Sequence, residues 1–385
     1  MRRAAAVTLL LLAASRAGAQ DEAQWMWMTD ARVFAGVNDQ ERKFTDISTV
    51  ESQNWGMVEG MRHTDHTRLT LKGMASLEPF TMKKLGSPQV FQTGEAYHGA
   101  PLIDYQHPHD LIMGLGASYA VTSGNVRYTA EVDVVGEAAL GPTAFMHRAS
   151  ARDNPQAPLS HHSLDSTHVT PGVVRVEASA GAFTLDASVF TGREPNENRL
   201  NIDRPRLDSW SGRVTWYPGA WKLQASAARI HQPEAFELFD LTRITASAEY
   251  DDALFGRPFA FTAAWGENRE PQGPLDAFLL EWELDVIGRG SLYGRAEAAP
   301  RDILDLGSPP PAGFVELHRI SHVDALTLGY VHDVARGRFG SIGIGGDATV
   351  YRLSENLRDS YGSPTSFHVF VRWHPASKMG AMRMN

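Results

Sequence analysis

Apolar and polar residues alternate along most of the chain from Trp25 onward, in runs of about ten residues separated by breaks. That length matches a tilted strand that crosses a bilayer. In residues 276–287, one face carries Phe278, Leu280, Trp282, Leu284 and Val286, and the other carries Glu281, Glu283 and Asp285. Because three acids on one face cannot lie in a dry core, we expect that face to line a wet interior.

The alternation predicts sixteen strands, at residues 25–38, 54–63, 67–79, 111–120, 125–137, 168–180, 182–191, 208–217, 220–230, 241–251, 258–268, 276–287, 290–300, 322–335, 339–353 and 364–374. Short connections rich in Gly, Pro, Asn and Asp alternate with long ones. We therefore predict an all-β fold, a transmembrane antiparallel β-barrel of about sixteen strands, with long extracellular loops and short periplasmic turns. A soluble β-sandwich or propeller is the alternative, but the sequence lacks the domain breaks or repeats expected of one.

Aromatic residues gather near the predicted strand ends, as in the girdles that hold membrane barrels at the two interfaces. They are Trp25, Trp27, Trp55, Tyr119, Trp216, Tyr217, Trp221, Trp265, Tyr293, Tyr351 and Trp373.

The first residues have the pattern of a secretory signal peptide, with Arg2 and Arg3 before a short apolar stretch and a small-residue site at 17–19. We expect cleavage after Ala19, a barrel over residues 20–374 and a short periplasmic tail over 375–385. The net charge of −9 argues against nucleic acid as a partner. The chain has no cysteine, and it has no apolar run of about 18 residues that predicts a transmembrane helix.

The closing segment, residues 366–373, resembles the C-terminal assembly signal of Gram-negative outer-membrane β-barrels, although residues 374–385 follow it. This resemblance implies an outer-membrane location. The blocks 106–110, 145–148 and 161–168 also resemble an uncharacterised group of barrels associated with bacterial heavy-metal handling, especially of copper. The narrower resemblance covers about a fifth of the chain and carries no established activity.

Charged residues of both signs occupy the inward positions of the predicted strands, so we expect a hydrophilic pore. The candidate pore-lining residues are Arg127, Glu131, Asp133, Arg175, Glu177, Glu281, Glu283, Asp285, Arg295 and Glu297. The acids Glu281, Glu283 and Asp285 predict a preference for cations. The alternative is a salt-bridged interior with no role in transport.

Two proline-rich segments without a regular period, residues 94–110 and 141–170, contain most of the candidate chemistry and predict long ordered loops. They follow consecutive hairpins, so we expect them to meet at the outer rim. The candidate metal ligands are His107, His109, Asp110, His147, His161, His162 and His168. Imidazoles with a carboxylate suit Cu or Zn. The alternative is a hydrogen-bonded network that ties both loops into a plug.

The function predicted from the sequence is a porin-like outer-membrane channel for small solutes or ions, with a transition-metal site in the extracellular loops. Lipid, solutes and metal ions are the expected partners, and a homo-oligomer is compatible with this fold. A non-conducting metal-binding or structural barrel is one alternative. The other is a membrane-embedded hydrolase using His161, Ser163 and Asp165, which would share a face of an extended segment. We expect no enzyme, because strand neighbours are rarely placed for a nucleophile–base contact.

Overall fold

The computed structural model describes residues 25–286, 288–301, 304 and 320–376. The predicted signal peptide at 1–19 and most of the predicted tail at 375–385 lie outside the described residues. Within the described part of the chain, no helix is both long enough and apolar enough to cross a membrane.

Sixteen strands form one closed antiparallel barrel, so the predicted fold class is confirmed. The strands are β1 (Trp25–Glu41), β2 (Ile47–Glu51 and Asn54–His63), β3 (Thr67–Ala75), β4 (Ile112–Ser123), β5 (Val126–Gly136), β6 (Thr170–Ala180), β7 (Phe183–Phe190), β8 (Ser209–Trp216), β9 (Trp221–His231), β10 (Asp240–Leu254), β11 (Arg257–Glu270), β12 (Gly273–Asp285), β13 (Gly290–Arg301), β14 (Ser321–Gly337), β15 (Gly340–Leu353) and β16 (Thr365–His374).

Pairing of β1 with β16 closes the barrel, with a register that runs from Val33 opposite Trp373 to Glu41 opposite Thr365. The other edge of β1 pairs with both parts of β2, which are separated by a break at residues 52–53. A closed ladder leaves no strand edge unpaired, which a barrel in lipid requires.

The two faces of the strands differ as the alternation predicts. On β12, Phe278 and Leu280 are 52% and 51% exposed on the outer surface, whereas Glu281 is 1% exposed on the inner one. The aromatic residues do not all follow the predicted girdles. Trp55 and Tyr293 are buried. Tyr293 packs inside the barrel against Phe34.

Four long connections lie at one rim, and we name them loop A (residues 76–111), loop B (137–169), loop C (191–208) and loop D (232–239). Loop A contains the helix Glu78–Thr81 and two small strand pairs, Ser87–Pro88 with Tyr105–Gln106 and Glu95–Tyr97 with Ala100–Leu102. The predicted irregular segment in loop B forms single helical turns at Phe145–His147, Ala149–Ala151, His161–Leu164 and Ser166–His168. The connection after β15 adds the turns Glu355–Leu357 and Arg358–Tyr361.

Loops A and B fold into the barrel and build hydrophobic cores against its inner wall. Leu140 of loop B packs in a buried cluster with Val173 and Phe190 of the wall. Phe91 of loop A packs with Leu159 of loop B in a second cluster. A sixteen-strand barrel would otherwise leave a wide lumen. Burial of apolar side chains between the loops and the inner wall stabilises the loops inside that lumen.

Candidate functional site

Loop B covers several residues that the sequence predicts to line a pore. Glu281 accepts a hydrogen bond from Arg148 over 2.9 Å, and Glu297 accepts one from Ser160 over 2.8 Å. Arg295 donates to the carbonyl of Gln156 over 2.8 Å. These three wall residues point inward as expected, but they contact loop B instead of open water.

Further acids of the predicted set are also covered or paired. Glu283 accepts from the backbone N–H of Asp153 over 3.1 Å, and Asp285 pairs with Arg152 over 2.9 Å. On β5, Glu131 and Asp133 pair with Lys72 of β3. Charge pairing across the inner wall therefore leaves few of these groups as isolated charges.

The remaining predicted positions lie on the inner wall of β5 and β6. Arg175 contacts Glu177 over 2.9 Å and Asp186 over 3.2 Å. Arg127 is half-buried. Solvent reaches this part of the inner wall, where the Arg175 and Glu177 side chains are each 20% exposed.

Loops A and B bring together two imidazoles, the buried His109 and the half-buried His168, whose rings meet edge to face. Nε2 of His109 lies 3.3 Å from Nε2 of His168. On the other side of each ring, Nδ1 of His109 lies 2.9 Å from a carboxylate oxygen of Glu78, and Nδ1 of His168 lies 2.8 Å from the carbonyl oxygen of Asp165. Both partners of Nδ1 are acceptors, so each Nδ1 carries the proton.

When both rings are neutral, protons on the Nδ1 atoms leave the two Nε2 atoms as lone-pair acceptors that face each other. Two ligands each about 2.0–2.1 Å from a tetrahedral zinc ion lie roughly 3.3–3.4 Å apart. The observed separation of 3.3 Å matches that geometry. A histidine that ligates a metal usually donates its other N–H to a carboxylate or carbonyl, as both rings do here. The residues therefore fit a transition-metal ion.

Electrostatics favour the neutral form of the His168 ring. Burial lowers the pKa of His168 well below its usual value, and the neighbouring His161 and His109 lower it further. Burial alone would raise the pKa of Glu78, but contact with His109 holds it below its usual value. Metal binding requires neutral imidazole, so this arrangement removes the competing proton from His168.

A third imidazole, His161, borders the same space. Its Nδ1 lies 2.7 Å from Oδ1 of Asp165, which leaves Nε2 as its remaining ligand nitrogen. The His161 and His168 ring centres are 5.1 Å apart, and Phe145 packs against both rings. Burial would raise the pKa of Asp165, but the charge of Arg148 and the contact with His161 hold it well below its usual range.

A small cavity of about 10 Å³ lies beside these rings, and its lining includes His107, His109, Asp110, His161 and His168. Five of the seven predicted ligands therefore meet at one place. Nδ1 of His107 lies 2.9 Å from the carbonyl oxygen of Pro108, and Asp110 lies 3.5 Å from Arg199. The cluster therefore has both the convergent imidazoles expected of a metal site and the hydrogen bonds to loop atoms expected of a plug.

The other two predicted ligands lie apart from that space. The ring of His147 packs edge-on against Trp55 with centres 4.7 Å apart, and burial lowers its pKa. His162 turns its Nδ1 toward Glu234 and Glu194, at 2.9 and 3.5 Å. Sequence reasoning did not select Glu78, Glu194 or Glu234, because nothing in their local spacing marks them.

The hydrolase alternative required an extended segment through His161, Ser163 and Asp165. Residues His161–Leu164 instead form one turn of helix, in which positions two apart do not share a face. The His161–Asp165 contact follows from helical spacing of four residues.

The chain matches no family model and no curated protein. Among solved structures it is similar to the anion-selective porin from Comamonas acidovorans, with a TM-score of 0.56 and 10% identity over 91% of this chain and 100% of that chain. It is also similar to a loop L8 deletion mutant of OmpT, an outer membrane protein of Vibrio cholerae, with a TM-score of 0.52 and 12% identity over 90% of this chain and 99% of that chain. At such identities the likeness concerns the architecture, and the chain therefore has the fold of outer-membrane porins.

Proposed function

We propose that this protein is an outer-membrane channel of the porin type for small solutes or ions, and that it binds a transition-metal ion, Cu or Zn, between loops A and B. The barrel and the porin likeness support the channel. The opposed Nε2 atoms of His109 and His168 carry the metal site. A metal ion between them would satisfy the lone pairs of both Nε2 atoms at once, which two neutral rings protonated at Nδ1 do not do for each other.

Residues near the proposed ion have separate roles. His109 and His168 supply two nitrogens, and His161 is the nearest candidate for a third. Glu78 and Asp165 hold the rings in orientation through Nδ1. Soft ligands are also close, because a larger cavity of about 50 Å³ that His107 and His109 also border is lined by Met82 and Met146. Methionine favours Cu(I), whereas the imidazoles suit both Cu(II) and Zn.

A non-conducting metal-binding barrel is the second candidate, and the anchoring of loop B favours it. Loop B contacts the wall at Glu249 through Thr143, at Glu281 through Arg148 and at Glu297 through Ser160. A loop held at several strands would close the lumen if it does not move.

Metal content and conductance of the refolded full-length protein test the proposal. We expect uptake of Zn²⁺ or Cu²⁺ in a fixed ratio, with a loss of at least one ion per chain in the His109→Ala/His168→Ala double variant. The matched control replaces two exposed histidines, His63 at the end of β2 and His66 in the short turn after it. Equal uptake by the His109/His168 variant and wild type would exclude this metal site. Stepwise currents in a planar bilayer support the channel, whereas folded protein without current leaves the non-conducting barrel.

A further inference from the structure

The cavity of about 50 Å³ between loops A and B and the wall at β1 and β2 is lined by two kinds of side chain. Apolar groups form one part of the lining, among them Phe34, Trp55 and Phe145. Amides form another part, and they are Gln53, Asn54, Gln89, Gln106, Asn154 and Gln156. An apolar pocket with a few convergent polar groups is the usual form of a small-molecule site. Because one water needs about 10–15 Å³, the cavity has room for several waters or for a solute of about four non-hydrogen atoms.

Three glutamines of this lining each have one amide atom without a hydrogen-bond partner among the described residues. The atoms are Oε1 of Gln89, Nε2 of Gln106 and Oε1 of Gln156. The three residues are only 6%, 7% and 8% exposed. Buried polar atoms normally have partners, so a molecule in the cavity that supplies them is favoured.

The other half of each amide group fixes which atom is free. Nε2 of Gln89 donates to the carbonyl of Ala157 over 2.7 Å, so its Oε1 is the free atom. Nε2 of Gln156 donates to Oγ of Ser87 over 3.1 Å. The Ser87 hydroxyl directs its own proton to Glu51 over 2.6 Å, so it can only accept from Gln156. Gln89 and Gln156 therefore each offer the cavity an acceptor.

Gln106 offers a donor instead. Its Oε1 accepts from Nε2 of Gln92 over 2.5 Å, and Oε1 of Gln92 accepts in turn from Arg301 over 3.3 Å. This chain leaves Nε2 of Gln106 as the free atom. Gln106 also lies opposite Ser87 in the small strand pair of loop A, so it is close to the anchor of Gln156.

The charged side chains of the lining already face groups of opposite charge or hydrogen-bond donors. Arg152 pairs with two acids of β12, and Arg32 lies 3.9 Å from Asp153. Glu78 accepts two hydrogen bonds from His109. An ion in this cavity would lose its hydration without gaining an uncompensated partner, so the lining favours an uncharged solute.

We propose that this cavity binds a small uncharged solute that carries a primary amide group. The two N–H bonds of that group would donate to Oε1 of Gln89 and Oε1 of Gln156, and its carbonyl would accept from Nε2 of Gln106. A short apolar group on the same molecule would pack against Trp55. The inference goes beyond the proposed function, because it requires neither a metal ion nor conduction.

Saturation-transfer NMR on the folded full-length protein in detergent micelles tests the proposal, with acetamide as the probe. Acetone and acetate have nearly the same size and shape as acetamide, but neither has an N–H donor, and acetate adds a negative charge. We expect saturation transfer to the acetamide methyl group, with affinity about tenfold or more above that for acetone or acetate. This comparison needs no substitution, so it stands even if a variant fails to fold.

Two variants locate the binding. Gln89→Met/Gln156→Met removes both free acceptors at similar side-chain volume, and Gln106→Glu replaces only the free donor while keeping an oxygen toward Gln92. Each should weaken acetamide binding about tenfold in protein with the native far-UV circular dichroism. The matched control is Gln224→Met on β9. Gln224 is also buried with a free Oε1, but it is not part of this lining, so acetamide should bind as to wild type.

Four results would overturn the inference. Absence of saturation transfer to acetamide in folded wild type means that the cavity holds water only. Equal binding of acetone means that the amides do not select the solute, and stronger binding of acetate means that the arginines make an anion site. Acetamide binding unchanged in both glutamine variants places it elsewhere. Metal uptake and conductance are measured separately, so none of these results decides the proposed function.

Discussion

Arg148 joins loop B to the barrel wall at Glu281, with Nε of Arg148 2.9 Å from Oε2 of Glu281 and both side chains at most 1% exposed. The same guanidinium donates from Nη1 to Asp165 over 2.7 Å. Because Asp165 also contacts His161, one buried cation connects the wall to the residues that orient the imidazoles.

Replacement of Arg148 by alanine is expected to destabilise the barrel and release loop B. The change removes the buried cation of Asp165 and leaves Glu281 with Arg295 alone, 2.7 Å away. Loss of one partner of a buried ion pair costs about 3–5 kcal/mol. Urea unfolding in detergent micelles measures the first effect, and single-channel conductance, which should rise, measures the second.

The control for this variant is Arg229→Ala, because the Arg229–Asp240 pair spans 3.2 Å but its side chains are 48% and 35% exposed. We expect a change of about 0–1 kcal/mol there. Equal stability of the two variants would contradict the role given to Arg148.

Gly266 provides a test of loop B with a single methyl group. A Cβ at Gly266 on β11 would lie 2.1 Å from the carbonyl oxygen of Ser163 and 3.0 Å from Leu164. Gly266→Ala should therefore push the turn His161–Leu164 from the wall, at a cost of about 1–3 kcal/mol, typical of overpacking. The expected results are a lower unfolding free energy and weaker Zn²⁺ binding.

A matched glycine lies on β8, where a Cβ at Gly212 would meet its nearest atom at 3.9 Å. Gly212→Ala should leave both measurements near the wild-type values. If the two alanine variants behave alike, loop B does not pack against β11 as described.

The ionisation of Asp153 predicts how the stability of the fold changes in acid. Burial would raise the pKa of Asp153, but the charges of Arg372, Arg152 and Arg32 hold it below its usual value. The ionised form therefore stabilises the fold fully above the ordinary carboxyl pKa of about 3.9, and this contribution is lost as the pH falls through the lower folded value.

Asp153→Asn should accordingly be less stable than wild type at neutral pH, and the difference should shrink in strong acid. Unfolding free energy measured from pH 7 to about pH 2 gives both limits. Asp46→Asn changes an exposed residue and should match wild type throughout. A difference between Asp153→Asn and wild type that stays constant with pH would show that the charge of Asp153 is not responsible.

Glu78 is expected to act through His109 if a metal ion binds there. Its carboxylate accepts from both Nδ1 and the backbone N–H of His109, at 2.9 and 2.8 Å. Glu78→Gln should weaken Zn²⁺ binding about 10–100-fold, as loss of such an orienting partner usually does. Isothermal titration calorimetry measures this affinity. The control is Glu267→Gln, because Glu267 pairs with Arg269 on β11. Unchanged affinity would remove Glu78 from the site.

The sequence by itself determined the barrel, because the alternation of apolar and polar residues is local and its period matches a strand. All sixteen predicted strands occur, and the outward positions of Phe278 and Leu280 follow from the same pattern. The sequence also identified the histidines of loops A and B as candidate ligands, because they lie in segments without a regular apolar period.

Only the tertiary structure decided what fills the lumen and which groups meet. Glu281 was expected to face water, but its position on a strand contains no information about a loop that folds over it. Glu78 and His168 approach the same imidazole from different loops, and Glu194 and Glu234 come from two more. Such contacts depend on how the strands place their loops around one rim, and local spacing along the chain does not encode that arrangement.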